Sequence, residues 1–229
     1  MDDKRELDFI DHKDHILVDF GDGMSLIDTG CPSTVGRSLD LLGVQSSLAG
    51  GLSYFGVTIE VIGKLVNVPL VRLVGMDVLQ KLAWKLDWEA KKITFYRNPV
   101  KFQGYKVPVI TPSGPPGIAF KIGNEEHTAL LDTGAPYSYC PEKCPAYDEA
   151  PVLECVKDFF PSIGEFSLTL REIHIAFGNR LVKVGAGKLP SPLKGLVSWW
   201  ILGAALLKSG PIGFDLGSRA IYLLENGHA

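Results

Sequence analysis

Two carboxylates occupy matching places in this chain. Asp28-Thr29-Gly30 follows the apolar run Met24-Ser25-Leu26-Ile27, and Asp132-Thr133-Gly134 follows Ala129-Leu130-Leu131. Each copy reads as a buried strand that ends in an acid and a tight turn. A carboxylate at the end of an apolar strand is costly unless something satisfies it. A chain that does this twice, with the same three residues, predicts that the two carboxylates meet. At hydrogen-bonding distance both cannot ionise cheaply, so the pair shares one proton. An acid and a base then sit side by side, as general acid–base chemistry requires. Pro32 and Pro136 each stand four places after their Asp, so the match extends beyond the tripeptide.

The surrounding elements must deliver these acids. In the first half, Ile16-Leu17-Val18-Asp19-Phe20 reads as a strand, Gly21-Asp22-Gly23 as a turn, and residues 24–27 as the returning strand. Residues 1–8 are charged and expected to fray; residues 1–15 are open as a tail, a strand between the halves, or a segment covering the site. Leu39, Leu41 and Leu42 fit a short helical turn, and residues 49–56 a glycine-rich loop. Val57-Thr58-Ile59-Glu60-Val61-Ile62 is rich in β-branched residues and reads as a strand turned by Gly63. Residues 65–73 read as another apolar strand. A short helix follows over 78–82, and 84–96 read as a hairpin turned at Glu89-Ala90-Lys91. Residues 98–116 are proline-rich and read as a linker, with one strand over 105–110.

The second half repeats the first. Residues 118–122 and 128–131 form a hairpin that delivers Asp132. Residues 166–177, closed by Gly178, match 57–63. Ile201-Leu202-Gly203 and the helix after it match Leu73-Val74-Gly75, and 215–221 match 87–93. The second half is longer, and its first insertion includes Asp158-Phe159-Phe160-Pro161-Ser162-Ile163-Gly164-Glu165-Phe166, two apolar arms about a turn. The expected domains are 9–97, a linker 98–116, and 117–225.

Composition excludes some classes. The chain has 229 residues, 46% hydrophobic and 21% charged, with a net charge of −3. Nothing there attracts nucleic acid or an anionic membrane surface. The longest apolar run, 196–207, is broken by Ser198 and Gly203 and is too short to span a bilayer. No secretory signal pattern follows Met1, so a cytoplasmic protein is expected. Cys140 and Cys144 are the only close cysteines, no histidine lies near them, and no metal site is expected. Free thiols are the plain reading; a Cys140–Cys144 or Cys140–Cys155 disulfide stays open.

Two copies of apolar-apolar-Asp-Thr-Gly, each followed later by apolar-apolar-Gly and a short helix, resemble the aspartic proteases of the pepsin and retropepsin type. Leu26-Ile27-Asp28-Thr29-Gly30 and residues 57–63 resemble the retroviral pattern, so the chain is similar to a single-chain version of the retroviral dimer. The resemblance covers roughly 9–97 and 117–224. It implies an all-β, two-lobed acid-protease-like fold with pseudo-twofold symmetry and one short helix per lobe. It implies an aspartic endopeptidase, with Asp28 and Asp132 activating a water that attacks a peptide carbonyl. Thr29 and Thr133 would join the two loops, and Gly30 and Gly134 would permit close backbone approach. No metal or organic cofactor is implied. The expected partner is an extended peptide or protein substrate with apolar side chains flanking the cut, and the protein is expected to be a monomer.

Cys31 and Ala135 follow the two glycines, and neither offers a hydroxyl, so a milder acidic optimum than pepsin's is expected. Cys31 is read either as a redox-sensitive neighbour of the acid or as a small buried filler. The hairpin 158–166 is the preferred flap over the cleft, with Phe159, Phe160 and Ile163 near substrate; a shortened flap at 50–54 would bring Tyr54 there instead. Trp199-Trp200 reads as core rather than ligand platform, and His127 and His174 as surface or satisfied histidines. The rival function is a catalytically silent peptide- or protein-binding module on the same scaffold. A protease latent until its N-terminal segment is removed is a third.

Overall fold

The computed structural model describes residues 3–47, 56–160, 163–190 and 199–224. It is mostly β, as expected. The first half holds β1 (Lys4–His12), β2 (His15–Asp19), β3 (Met24–Ile27), β4 (Val35–Gly36), β5 (Asp40–Leu41), β6 (Val44–Gln45), helix α1 (Ile59–Val66), β7 (Arg72–Val74), the one-turn helix α2 (Met76–Leu79), and the hairpin β8 (Ala83–Asp87) and β9 (Lys92–Tyr96). The second half holds β10 (Gly104–Pro108), β11 (Gly117–Ile122), β12 (Glu125–Leu131), β13 (Ser138–Cys140) and helix α3 (Pro145–Glu149). The long strands β14 (Val152–Phe160), β15 (Gly164–Phe177) and β16 (Arg180–Lys188) follow. Then come β17 (Trp200–Leu202), a 3-10 helix (Ala204–Ser209), β18 (Ile212–Asp215) and β19 (Ala220–Leu224).

Ten strands form one sheet in the order β10-β19-β18-β8-β9-β1-β2-β3-β7-β4. Seven form a second, β11-β12-β17-β13-β16-β15-β14, and β5 pairs with β6 alone. The last hairpin of the chain therefore lies in the sheet of the first half. Phe214 on β18 is the cross-strand partner of Trp84 on β8. Their rings stack with centroids 3.7 Å apart and planes 4° apart, which adds about 0.5–1.5 kcal/mol beyond the area they bury.

Both halves build the same device around their acids. In the first, β3 runs parallel to β7, with Ile27 opposite Val74, while β4 flanks β7 on its other side. In the second, β12 runs parallel to β17, with Leu131 opposite Leu202, and β13 flanks β17. Gly75 and Gly203 follow β7 and β17. A Cβ at either would collide with backbone carbonyls of the opposing loop, Ser33 in one case and Tyr137 in the other. Only glycine lets the two chain segments approach that closely.

Several expectations are corrected. Residues 59–66 are helical, not a strand. Ile59, Ile62, Gly63 and Val66 are buried on one face, and Asn67 closes the helix in the left-handed region, φ 61°. The β-branched residues hide a helical spacing of three and four. The repeat therefore breaks here, because 166–177 is strand. The strand expected over 65–73 shortens to β7. Residues 40–45 form the β5–β6 hairpin, turned by Leu42 at φ 54° and Gly43 at φ 80°, rather than a helical turn. The N-terminus does not fray from Lys4 onward: β1 pairs with β9 on one side and β2 on the other. Of the three readings for residues 1–15, the strand is the one adopted over Lys4–His12. Among the described residues, no helix is long and apolar enough to cross a membrane.

Candidate active site

The two Asp-Thr-Gly turns face each other. Asp28 hangs from the end of β3, its N–H donating to Val74 at 3.0 Å; Asp132 hangs from β12, its N–H donating to Leu202 at 2.9 Å. The Thr29 hydroxyl donates to the Leu131 carbonyl at 2.7 Å, and the Thr133 hydroxyl donates to the Ile27 carbonyl at 2.8 Å. Each hydroxyl also accepts the other threonine's backbone N–H at 3.0 Å. Both threonines are fully buried, so these bonds join the turns in a dry environment where breaking one is costly.

Each carboxylate is oriented by its own turn. Asp28 Oδ1 accepts the N–H groups of Gly30 at 2.8 Å and Cys31 at 3.0 Å. Asp132 Oδ1 accepts those of Gly134 at 2.9 Å and Ala135 at 3.2 Å. The residues after the glycines thus act through their backbones. The arrangement is reciprocal: a Cβ at Gly30 would collide with the Asp132 carboxyl, and a Cβ at Gly134 with that of Asp28.

The carboxyls of Asp28 and Asp132 are hydrogen-bonded to each other. Burial raises the pKa of both. Asp28 is the more enclosed, 5% exposed, and the charge of Asp132 pushes its pKa up further. A hydrogen bond between two carboxyls needs one of them protonated, so one proton shared by the pair is the state this geometry favours.

A hairpin closes over the pair. β14 and β15 pair in register through Asp158 opposite Phe166 and Phe159 opposite Glu165. Successive side chains leave the strand on opposite sides. Phe159 crosses to the first half and packs against the apolar cluster that includes Leu17, Leu26 and Leu73, and its ring lies 6.1 Å from that of His15. Phe160 and Phe166 pack with Tyr139 and Leu168 in the second half. The cavity left over the acids is about 80 Å³, room for a few waters and not for an extended peptide.

Of the residues singled out from the sequence, Asp28, Asp132, Gly134, Phe159 and Phe160 line this cavity. Thr29, Gly30 and Thr133 support it from behind. Ile163 sits at the hairpin tip, 36% exposed, and is not among the residues that line this cavity. Tyr54 and the rest of the possible flap at 50–54 lie outside the described residues. Cys31 is buried and its thiol donates to the Ser33 carbonyl at 3.0 Å. Burial and the nearby Asp28 raise its pKa, which favours the reading of a buried filler over that of a reactive thiol. Trp200 is core and Trp199 is 38% exposed. His174 is exposed and pairs with Glu172.

Three contributors were not singled out. Asp158 is 7% exposed, and the Tyr139 hydroxyl donates to its Oδ2. Burial raises its pKa, and Asp132 adds to that. His15 is 4% exposed and its pKa is pushed down to about 4, chiefly by burial. An acid inside the apolar arm Val156–Phe160 is the same kind of signal as Asp28 and Asp132. His15 and Tyr139 carry none, because their partners are distant in sequence. No protein-family model matches the chain, and no curated protein matches it significantly in sequence.

Proposed function

We propose that this protein is an aspartic-type endopeptidase, a single-chain relative in architecture of the pepsin and retropepsin enzymes. The observation that carries the proposal is the hydrogen-bonded pair Asp28–Asp132, fixed by two turns that exchange threonine bonds. Both acids come from one chain, which supports a monomer. The four cysteines are free, which supports a reducing compartment such as the cytoplasm.

The chemistry follows from the shared proton, placed first on Asp28; the two acids can exchange roles. A water held between the acids loses a proton to Asp132 as its oxygen bonds to the peptide carbonyl carbon. The carbonyl oxygen takes the proton from Asp28, giving a tetrahedral diol. Asp132 then protonates the nitrogen, Asp28 takes a hydroxyl proton from the diol, and the C–N bond breaks. The products are a carboxylic acid and an amine, and the pair returns to its starting state. Leu26, Ile62 and Leu73 from the first half and Leu189 and Ile201 from the second line the cavity, which supports apolar side chains beside the cut. The hairpin lifts from the first half to admit an extended chain and settles back over it.

The closed cavity also favours a second reading, a silent binding module on the same scaffold. Digestion of a diverse peptide mixture between about pH 3 and 8, read by mass spectrometry, separates the two. New termini from wild type support the peptidase. An uncut mixture in the presence of folded protein removes it.

A further inference from the structure

The cavity over the acids has a neighbour. A pocket of about 210 Å³ lies beside it, between the first half and the hairpin, and the two share Pro136, Asp158 and Phe159. A side chain leaving a peptide bound over Asp28 and Asp132 has this pocket within reach.

His15 forms part of its wall. The residue is 4% exposed, and Nδ1 has no hydrogen-bond partner. Nδ1 is itself shielded from solvent, so the ring contributes shape, with its centroid 6.1 Å from that of Phe159, rather than an acceptor.

Asp158 is the acceptor in this wall. Its carboxylate takes the Tyr139 hydroxyl on Oδ2 and the Phe159 N–H at 2.8 Å on Oδ1. Both donors are neutral, and about two of its four acceptor sites stay open. A buried carboxylate with only neutral partners is best compensated by a cation. Leu65, Val66, Pro136 and Phe159 make much of the remaining wall apolar. An apolar sleeve with an acceptor in its wall matches a side chain with a long aliphatic stem and a donor head. Lys13, Lys157 and Glu165 also line the pocket and are exposed, so water and salt screen them.

We propose that this pocket is a specificity subsite that takes a lysine or arginine side chain of the bound peptide, with Asp158 as its acceptor. The proposal rests on the peptidase reading and adds a basic position to an otherwise apolar cleft.

The test is binding, so that it does not depend on turnover. Peptides whose scissile amide is replaced by a methylene-amine linkage cannot be cut. They are made in pairs, lysine against norleucine, at each position around that linkage, and Kd is measured for each. At one position the lysine peptide should bind wild type about ten- to a hundredfold tighter, the range of a charge-assisted hydrogen bond. The gap should narrow in Asp158→Asn. Equal affinity within every pair, tighter norleucine, or no binding of any peptide overturns the subsite; so does a gap that survives Asp158→Asn. The wild-type comparison holds whether or not the variant folds. Cleavage of ordinary peptides with no basic preference removes the subsite and leaves the peptidase. Lysine-selective binding without any cleavage leaves the subsite and removes the peptidase.

Discussion

Thr29 and Thr133 hold each other by exchanged bonds: each backbone N–H donates to the other's hydroxyl at 3.0 Å. Each hydroxyl then donates a hydrogen bond to a strand carbonyl of the opposite half, Leu131 or Ile27. Two turns more than a hundred residues apart are thereby set at one distance, and the acids beside them inherit that distance.

Removing one hydroxyl leaves a buried carbonyl and a buried N–H unpaired. Thr29→Val and Thr133→Val should each destabilise by about 2–4 kcal/mol in urea unfolding. The hydroxyls have no bond in common but join the same two turns, so the second loss falls on a joint already loosened and the double variant should lose less than the summed singles, with a coupling of about 0.5–3 kcal/mol. Additive losses would show that the hydroxyls act independently.

Two buried groups tilt stability against pH in opposite directions. Asp28 has a raised pKa when folded. Its stabilisation is full below the unfolded carboxyl pKa of about 3.9 and is lost as pH rises through the folded value. His15 is pushed down from 6.5 to about 4. Its contribution is full above about 6.5 and is lost as pH falls towards 4. Asp28→Asn should therefore flatten the loss on the alkaline side. His15→Asn should flatten the loss between about pH 6.5 and 4. Chemical denaturation across pH reads both slopes, and a swap of the two effects would contradict the assignment.

Asp158 raises the cost of ionising the dyad, because its charge and that of Asp132 repel. Asp158→Asn removes one negative charge and lowers the pH at which the pair loses its shared proton. The alkaline limb of kcat/KM should move to lower pH. A shift to higher pH would place the charge elsewhere.

Phe159 ties the hairpin to the first half through the apolar cluster that includes Leu17, Leu26 and Leu73. Phe159→Ala should free the hairpin at a cost of about 1–2 kcal/mol of local contact. Amide exchange should quicken over residues 152–170, with β3, β7 and β12 unchanged. Uniform quickening would instead report global destabilisation.

The acids were legible because a buried carboxylate is expensive and this chain places it twice behind the same kind of strand. The hairpin was legible from its two apolar arms and Pro-Ser-Ile-Gly turn. Where its phenylalanines pack was not, since Phe159 meets residues from Leu17 to Leu73 that no local pattern links to it. The helix Ile59–Val66 was hidden by composition: β-branched residues argue strand, and eight residues give too few turns for the spacing to dominate. Strand β1 was hidden by its charges. Lys4, Glu6 and Asp8 are exposed while Phe9 is buried, and only pairing with Lys92–Tyr96 makes that alternation a strand.

The account stands most directly on digestion of a peptide mixture in ¹⁸O-labelled water by wild type, Asp28→Asn and Asp132→Asn. Wild type should leave new C-termini carrying oxygen from the attacking water, and each variant should cut about 10²–10⁴-fold more slowly. Cleavage that survives in either variant, or an uncut mixture with folded wild type at every pH, would contradict it.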